Sequence, residues 1–342
     1  MINSRNIRST TIIIFTIFLL TLGACGGDAT EPVDTSRVKL TVQVLPYLSY
    51  APFYIAEAEG FFEEQNLEVE FIRTARSVDG VPLIISGELD VYASANNIAY
   101  LNAVASGENI RVVADRGYID PDGCTYQGLV ARNEVLASGR LEGDPEEMKG
   151  LRVTRPEASV GALILDLAFE ARGFTYEDAV VLDLNTPSRL EAFQEGTLDI
   201  GNYSEPWITR SIQTGSTDVW VGAEEIIPGY QLGTMAFGPN LLEDNPDAGK
   251  RFMVAFLKGV RQFNEGKTER NVEIIAAATE LEEQLVRDAC WPAYKSDGHA
   301  PFDGLVVFQD WAVSLDLLDV PITEEQYFDS TFVDYANAVL DE

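Results

Sequence analysis

The sequence predicts an α/β fold made of two lobes, joined by two crossing strands, with a cleft between the lobes. Segments with strand patterns alternate with segments of helical spacing over residues 38–114, and the same alternation begins again at residue 151. This alternation is typical of a mostly parallel sheet covered by helices on both faces. Residues 127–132 and 232–237 are apolar and β-prone, so we predict that the chain crosses between the lobes there.

The first unit begins with residues 38–45, in which apolar and polar side chains alternate as in a half-buried strand. Residues 51–64 follow as a predicted helix, because Pro52 suits the first turn and apolar residues recur at helical spacing. The other predicted elements of this unit are strands at 67–72, 89–93 and 111–114 and helices at 82–86 and 98–105.

The second unit repeats the pattern on a smaller scale. Its predicted elements are strands at 151–154, 180–184 and 198–202 and helices at 160–171 and 187–194. After the return crossing, residues 246–265 form a long amphipathic helix, and the rest of the chain is mainly helical. We therefore assign lobe 1 to residues 38–126 and 238–342, and lobe 2 to residues 133–231.

The N-terminus has the pattern of an export signal. Arg5 and Arg8 precede an apolar run over residues 10–22, which is shorter than the about 20 residues that a membrane-spanning helix needs. The run ends in Leu-Gly-Ala-Cys at Cys25, which resembles the bacterial lipobox. The resemblance implies a lipoprotein signal peptide over residues 1–24 and a diacylglycerol on the Cys25 thiol. The alternative is an ordinary signal peptide with an incidental cysteine.

The segment that follows the signal is small, polar and proline-containing, so residues 25–37 are interpreted as a flexible tether. No later stretch is long and apolar enough to cross a membrane. We therefore expect an exported protein, lipid-anchored in the periplasm or on the outer face of the cytoplasmic membrane.

The formal net charge of the chain is -31, which would repel nucleic-acid phosphates and anionic headgroups. A nucleic-acid partner is therefore not expected, and the charge is interpreted as an adaptation for solubility or for salty water. We also expect a monomer. The chain has one histidine, His299, and no nucleotide-binding or hydrolase motif. We expect no metal, no cofactor and no enzymatic activity.

Two cysteines lie outside the signal, Cys124 and Cys290. In an exported protein such a pair can form a disulfide, but two buried free thiols are equally compatible with the spacing.

Four blocks of sequence carry a family likeness, at residues 45–71, 86–114, 189–207 and 245–263. In the first block Pro52, Tyr54, Ala56, Gly60 and Phe62 match a helix pattern, and Leu67 and Val69 match the start of the next strand. In this order the blocks resemble the ABC-transporter periplasmic substrate-binding proteins for nitrate, taurine, aliphatic sulfonates and thiamine pyrimidine precursors. The resemblance implies a type II periplasmic-binding-protein fold, a small-molecule ligand, and an ABC permease with its ATPase as partners.

Ligands of open α/β sheets bind beyond the carboxyl ends of the strands, so the loops at those positions are expected to contact the ligand. In the first lobe these loops contain Tyr47, Ser49 and Tyr50, then Asn96 and Asn97. Helix N-termini favour an anion or a carbonyl, and the amides offer donors and acceptors. The alternative is that Ser49 and the asparagines only cap helices or shape turns.

In the second lobe we predict ligand contacts from Ser159 and from Asn202, Tyr203 and Glu205, and Tyr118 could add an aromatic wall. Glu205 could instead be a structural carboxylate beside a crossing. Glu157, next to Ser159, would oppose an anionic ligand by like-charge repulsion unless it faces water.

The first ligand hypothesis is therefore a flat nitrogen heterocycle, such as a thiamine pyrimidine precursor or a riboflavin-like compound, stacked on tyrosines. The alternative ligand is an alkanesulfonate, taurine or nitrate. Two alternative roles also remain: delivery of the ligand to a membrane sensor, and a lipoprotein with a degenerate cleft.

Overall fold

The computed structural model describes residues 37–74, 76–156 and 158–342. The predicted signal peptide, Cys25 and all of the tether except Arg37 lie outside the described residues, as does Glu157. In the part of the chain that is described, no helix combines the length and the apolar character needed to cross a membrane.

Ten strands form two five-stranded sheets, one in each lobe. The strands are β1 (Val38–Val44), β2 (Leu67–Arg73), β3 (Val91–Ala95), β4 (Arg111–Asp115), β5 (Gln127–Arg132), β6 (Arg152–Thr154), β7 (Val180–Leu182), β8 (Ile200–Ser204), β9 (Thr217–Gly222) and β10 (Gly233–Phe237). Their orders are β2-β1-β3-β10-β4 and β7-β6-β8-β5-β9. The two α/β lobes predicted from the alternation of strands and helices are confirmed.

Sixteen helices in the described residues cover the two sheets. They are α1 (Ala51–Ala58), α2 (Phe61–Glu64), α3 (Val81–Ser86), α4 (Ile98–Ala105), α5 (Asn133–Ala137), α6 (Pro145–Met148), α7 (Val160–Glu170), α8 (Thr186–Gln194), α9 (Trp207–Gln213), α10 (Ala223–Ile226), α11 (Pro246–Phe263), α12 (Glu269–Thr279), α13 (Glu283–Asp288), α14 (Asp303–Ser314), α15 (Glu324–Tyr327) and α16 (Thr331–Leu340).

The single helix predicted over residues 51–64 is two helices. Gly60 adopts a left-handed conformation with φ of 77°, which ends α1 and begins α2. A residue with a side chain is strained in this region, so the glycine places the break there.

The segments that we predicted as crossing strands lie inside the sheets. Residues 127–132 are β5, which runs antiparallel between β8 and β9 in the second sheet. Residues 233–237 are β10, which runs antiparallel between β3 and β4 in the first sheet. The chain passes between the sheets just before each of these strands, over residues 116–126 and 223–232. An apolar, β-prone pattern suits a strand buried in a sheet as well as a crossing strand, because both lack solvent-facing polar positions.

The helices that follow the return crossing contribute much of the core of the first lobe. Asn245 caps α11 by accepting a hydrogen bond from the Ala248 N–H, and Pro246 occupies the first turn. The buried face of α11 then packs on α1 and α16. Phe53 and Phe256 meet there with ring centroids 4.7 Å apart. Helix α14 instead contacts α7 of the second lobe, where the Trp311 indole N–H donates to Asp166 over 3.0 Å.

Cys124 and Cys290 are joined by a disulfide, with their Cα atoms 5.8 Å apart. Cys124 lies in the outgoing crossing, and Cys290 lies just after α13. The bond therefore ties the segment between the lobes to the C-terminal helices.

Candidate functional site

A cavity of about 180 Å³ lies between the lobes, and we refer to it as the cleft cavity. Both lobes supply its walls, mostly from the ends of strands, as expected for a ligand site in facing α/β sheets. The lining residues are Tyr47, Ser49, Tyr50, Ser77, Ala95, Arg116, Tyr126, Gln127, Val160, Ser204 and Leu232.

The loop after β1 contributes all three of its predicted residues to the cleft cavity. Ser49 and Tyr50 are buried, and the Tyr50 hydroxyl donates to the Ala93 carbonyl over 2.9 Å. No side chain caps α1 in this structure, so Ser49 does not act as its cap. Instead the Ser49 Oγ accepts a hydrogen bond from Arg116.

Arg116 is the cavity residue that the sequence analysis missed. Its side chain is 3% exposed, and its Nη1 donates to the Ser49 Oγ over 2.8 Å and to the Ser49 carbonyl over 3.1 Å. The guanidinium carbon lies 4.3 Å from the centroid of the Tyr50 ring. The Nε has no hydrogen-bond partner, and among the described residues no carboxylate forms an ion pair with this arginine. Arg116 directly follows β4, so the rule that selected Tyr118 could have selected it too.

Gly233 makes room for this arginine. A Cβ atom at that position would lie 2.2 Å from the Arg116 Nη2. The glycine at the start of β10 therefore lets the guanidinium pack closely against this strand.

Two polar side chains of the second sheet line the cleft cavity together with Arg116. Gln127 and Ser204 are paired in register at the adjoining ends of β5 and β8. Gln127 is 7% exposed, and its Oε1 has no hydrogen-bond partner. The sequence pattern places Gln127 in a crossing strand and gives no signal for ligand contact. Beside it, burial raises the pKa of the Tyr126 hydroxyl, which hydrogen-bonds with Ser49.

Asn96 and Asn97 do not line the cleft cavity, contrary to prediction, because other parts of the fold occupy their amides. Asn96 Nδ2 donates to the Gln231 carbonyl over 3.0 Å, and its Oδ1 accepts from the Tyr327 hydroxyl over 2.8 Å. Asn97 caps α4 by accepting from the Tyr100 N–H, and its Nδ2 donates to the Tyr92 hydroxyl over 2.8 Å. Asn97 therefore matches the alternative interpretation, in which the asparagine caps a helix.

Three predicted second-lobe residues also have structural partners. Ser159 caps α7 by accepting from the Ala162 N–H, and its backbone forms a bridge with Asn97 of the first lobe. Asn202 donates to the Gly128 carbonyl over 3.3 Å. Tyr203 is buried and stacks on Trp207 at 6.3 Å. These side chains pack and hydrogen-bond within the protein and do not line the cleft cavity.

Glu205 and Tyr118 do not line the cleft cavity either. The Glu205 Oε1 accepts from the Thr209 hydroxyl over 2.8 Å and from the Cys290 N–H over 3.1 Å. Burial raises the pKa of this carboxyl, although these hydrogen bonds lower it in part. Tyr118 lines a separate cavity of about 110 Å³ beside Cys124 and Trp291.

A second cavity, of about 330 Å³, lies at the carboxyl ends of β6 and β7, and we refer to it as the side cavity. It is lined by Thr154, Arg155, Pro156, Val181, Leu182, Asp183, Leu184 and Arg189. Arg189 is 9% exposed and donates to the carbonyls of Leu184 and Asn202 over 2.9 and 2.7 Å. Thr154 is 1% exposed, and its hydroxyl has no hydrogen-bond partner.

In the described part of the chain, no group of three or more histidine, cysteine, aspartate and glutamate side chains is placed to hold a metal ion. The polar groups of the cleft cavity are instead the Arg116 guanidinium, the Gln127 amide, serine hydroxyls and tyrosine rings. Such a set can bind an oxyanion and enclose an adjoining apolar group.

Solved structures share this architecture. The periplasmic aliphatic sulphonate binding protein SsuA from Escherichia coli aligns with a TM-score of 0.70 at 13% identity, covering 86% of this chain and 93% of that one. The periplasmic nitrate-binding protein NrtA from Synechocystis PCC 6803 aligns with a TM-score of 0.71 at 11% identity, covering 89% of both chains. The desulfurization enzyme DSZB aligns with a TM-score of 0.68 at 13% identity, covering 89% of this chain and all of that one.

No curated protein matches this sequence. The family model described as "NMT1/THI5 like" matches residues 48–265, which is more than half of the chain. At the identities above, the structural likeness establishes the fold, and the predicted periplasmic-binding-protein fold is confirmed. The chain is a member of the NMT1/THI5-like family.

Proposed function

We propose that this protein is the solute-binding component of an ABC import system and that its ligand is a small oxyanion, with sulfonates as the first class. It passes the ligand to a permease and its ATPase. We further propose that it acts as an exported monomer, anchored by a diacylglycerol on Cys25. The fold, the export-signal pattern and the names of structural relatives such as SsuA and NrtA support this role.

Arg116 is the observation that carries the choice of an anionic ligand. A buried guanidinium without a counter-ion is costly, because desolvation is not offset by a nearby negative charge. An oxyanion in the cleft cavity would supply that charge. Arginine suits this task because its planar fork matches the oxygens of sulfonates and carboxylates.

The rest of the cleft cavity fits an oxyanion that carries a short organic group. Tyr47, Tyr50 and Tyr126 provide aromatic walls, and Gln127 and Ser204 provide polar contacts from the second lobe. Because both lobes line the cavity, a bound ligand would favour hinge closure.

The pyrimidine or flavin hypothesis loses its main support. It required the side chains of Asn96, Asn97 and Glu205 to form hydrogen bonds with the edge of the ligand ring. All three are engaged by the protein itself. Glu157, whose negative charge would oppose an anionic ligand, lies outside the described residues.

We propose binding without chemical conversion of the ligand. Serine hydroxyls line the cleft cavity, but its described lining residues include no cysteine nucleophile and no histidine, aspartate, glutamate or lysine that could act as a general base for serine. The fold is shared with the enzyme DSZB as well as with binding proteins, so this conclusion depends on the cavity and not on the fold.

Thermal-shift screening followed by calorimetry tests the ligand class. Ethanesulfonate, taurine and nitrate should raise the melting temperature by mass action, whereas an aminopyrimidine and riboflavin should not. Arg116→Gln should weaken sulfonate binding by about 100-fold or more, since the charge and a buried donor are lost. Arg270→Gln is the matched control, because Arg270 is exposed and pairs with Glu59 on the surface.

Binding of the pyrimidine or the flavin but of no anion would overturn the proposed ligand class. Recovery of a chemically altered sulfonate after incubation would overturn the non-enzymatic role. For the anchor, Cys25→Ser should release the exported protein from the membrane fraction. Unchanged membrane retention of that variant would contradict lipidation at Cys25.

A further inference from the structure

Helix α14 is held to the first lobe at both of its ends. Just before it, the centroid of the Phe302 ring lies 5.9 Å from that of Tyr327 in α15, a helix that contacts α4 and β4. Just after it, the Leu317 carbonyl accepts a hydrogen bond from Asn102 of α4 over 3.2 Å. The helix therefore belongs to the first lobe, in keeping with its place after the return crossing.

One side chain of α14 reaches across to the second lobe. Trp311 is 9% exposed, and its indole N–H donates to the Oδ2 atom of Asp166 in α7 over 3.0 Å. Arg155, which follows β6, donates to both oxygens of the same carboxylate over 2.7 and 2.6 Å. Asp166 thus keeps an ion pair within its own lobe while it accepts from the other lobe. We refer to the Trp311–Asp166 hydrogen bond as the clasp.

The clasp holds the helix whose first residue lines the cleft cavity. That residue is Val160, and Ser159 just before it forms a backbone bridge with Asn97 of the first lobe. Asp166 lies about 9 Å further along α7, at about 1.5 Å per residue. The bridge and the clasp therefore hold α7 against the first lobe at two separate points.

The clasp lies away from the crossings about which the lobes would rotate. Near the start of α14, Gly304 packs closely on the return crossing, since a Cβ atom there would lie 2.8 Å from the Gln231 nitrogen. Trp311 lies about 10 Å further along the helix. By contrast, the contact of α13 with α9 lies beside the Cys124–Cys290 disulfide at the outgoing crossing. Rotation about the crossings would therefore displace α7 from Trp311.

We propose that the Trp311–Asp166 clasp stabilises the arrangement in which both lobes line the cleft cavity, and that it tunes ligand affinity from outside that cavity. A ligand that needs contacts from both lobes binds only the molecules in this arrangement, so its apparent affinity falls with their fraction. Loss of the clasp lowers that fraction. Trp311 is thus a positioning residue. The effect on affinity rests on the proposed function, whereas the effect on the lobes does not.

Trp311→Phe tests the clasp, because it removes the indole N–H and leaves Asp166 paired with Arg155. Isothermal titration calorimetry with ethanesulfonate should show an affinity about threefold to tenfold below that of the wild-type protein. Small-angle X-ray scattering of the ligand-free variant should give a larger radius of gyration than the wild-type protein. A purely structural role would lower the melting temperature and change neither quantity.

Trp220→Phe is the matched control. The Trp220 indole N–H also donates to a carboxylate, that of Glu142 over 3.3 Å, but both residues belong to the second lobe. Its loss should leave the affinity and the radius of gyration unchanged. Asp166→Asn is a second variant, which keeps an oxygen for Trp311 but weakens the bond by removing the charge. Its affinity should lie between those of the wild-type protein and Trp311→Phe.

Wild-type affinity of Trp311→Phe would overturn the inference and leave the proposed function in place. An equal loss of affinity in Trp220→Phe would overturn it too. If Trp311→Phe does not fold, wild-type affinity of Asp166→Asn overturns the inference instead. Absence of ethanesulfonate, taurine and nitrate binding by the wild-type protein would overturn the proposed function. In that case an unchanged radius of gyration in the ligand-free variant would overturn the clasp as well.

Discussion

The Nη1 atom of Arg116 donates to the Oγ of Ser49 over 2.8 Å and to the carbonyl oxygen of the same residue over 3.1 Å. Arg116 follows β4, and Ser49 lies in the turn before α1. The bonds hold one edge of the guanidinium against the first lobe and leave the Nε without a partner. The loop after β1 therefore acts mainly by orienting the charge of the cleft cavity.

Ser49→Ala should weaken sulfonate binding about threefold to tenfold with little loss of stability, because the Ser49 carbonyl still accepts from Arg116. Calorimetric titration with ethanesulfonate measures the effect. Ser86→Ala, at the exposed last residue of α3, is the control. An affinity equal to that of the wild-type protein would show that the Ser49 hydroxyl does not orient the arginine.

Asn96→Ala should destabilise the protein by about 2–3 kcal/mol, because the Gln231 carbonyl and the Tyr327 hydroxyl would lose a buried partner. Urea denaturation followed by circular dichroism measures this loss. Asn102→Ala is the control, since Asn102 is exposed and donates a single hydrogen bond. A normal unfolding midpoint combined with lost ligand binding would restore Asn96 to the binding site.

The stability of the protein should depend on pH through Asp115. Burial raises the pKa of this carboxyl to about 6, although hydrogen bonds from Lys295, Gln231 and Gly117 lower it in part. The unfolded chain gives up this proton near pH 4, so between about pH 4 and pH 6 the folded state holds more protons. The contribution of Asp115 to stability is therefore greatest below that range and is lost as the pH rises.

Comparison of the wild-type protein with Asp115→Asn isolates this contribution. Between about pH 5 and pH 7.5 the wild-type protein should lose about 1 kcal/mol of unfolding free energy relative to the variant. Asp122→Asn, at an exposed position, is the control. Parallel pH profiles for the wild-type protein and the Asp115 variant would contradict the prediction.

Loss of the Cys124–Cys290 disulfide should lower stability by about 2–4 kcal/mol, because it closes a loop with a sequence separation of 166. The double variant Cys124→Ala/Cys290→Ala should melt at a lower temperature than the wild-type protein. Reducing agent should lower the melting temperature of the wild-type protein and leave the variant unchanged. Equal sensitivity of both proteins to the reductant would argue against the bond.

The architecture was predictable because it depends on local patterns. Alternation of strand and helix spacing located both lobes, and the position after β1 located Tyr47, Ser49 and Tyr50. The errors concern polar residues whose partners come from distant parts of the chain. Asn96 meets Tyr327, and Glu205 meets Cys290, at sequence separations of 231 and 85. No sequence pattern around Asn96 or Glu205 predicts such a partner.

The sequence by itself determined the two α/β lobes, the export-signal pattern and the loops at the carboxyl ends of the strands. These follow from periodicity and from short-range backbone preferences. Only the tertiary structure decided which polar groups remain free. A buried donor or acceptor forms a hydrogen bond with the nearest partner that the fold provides. The side chains of Asn96, Asn97 and Glu205 therefore bond to other parts of the protein. Arg116, Gln127 and Thr154 kept unpartnered atoms because no distant segment satisfies them.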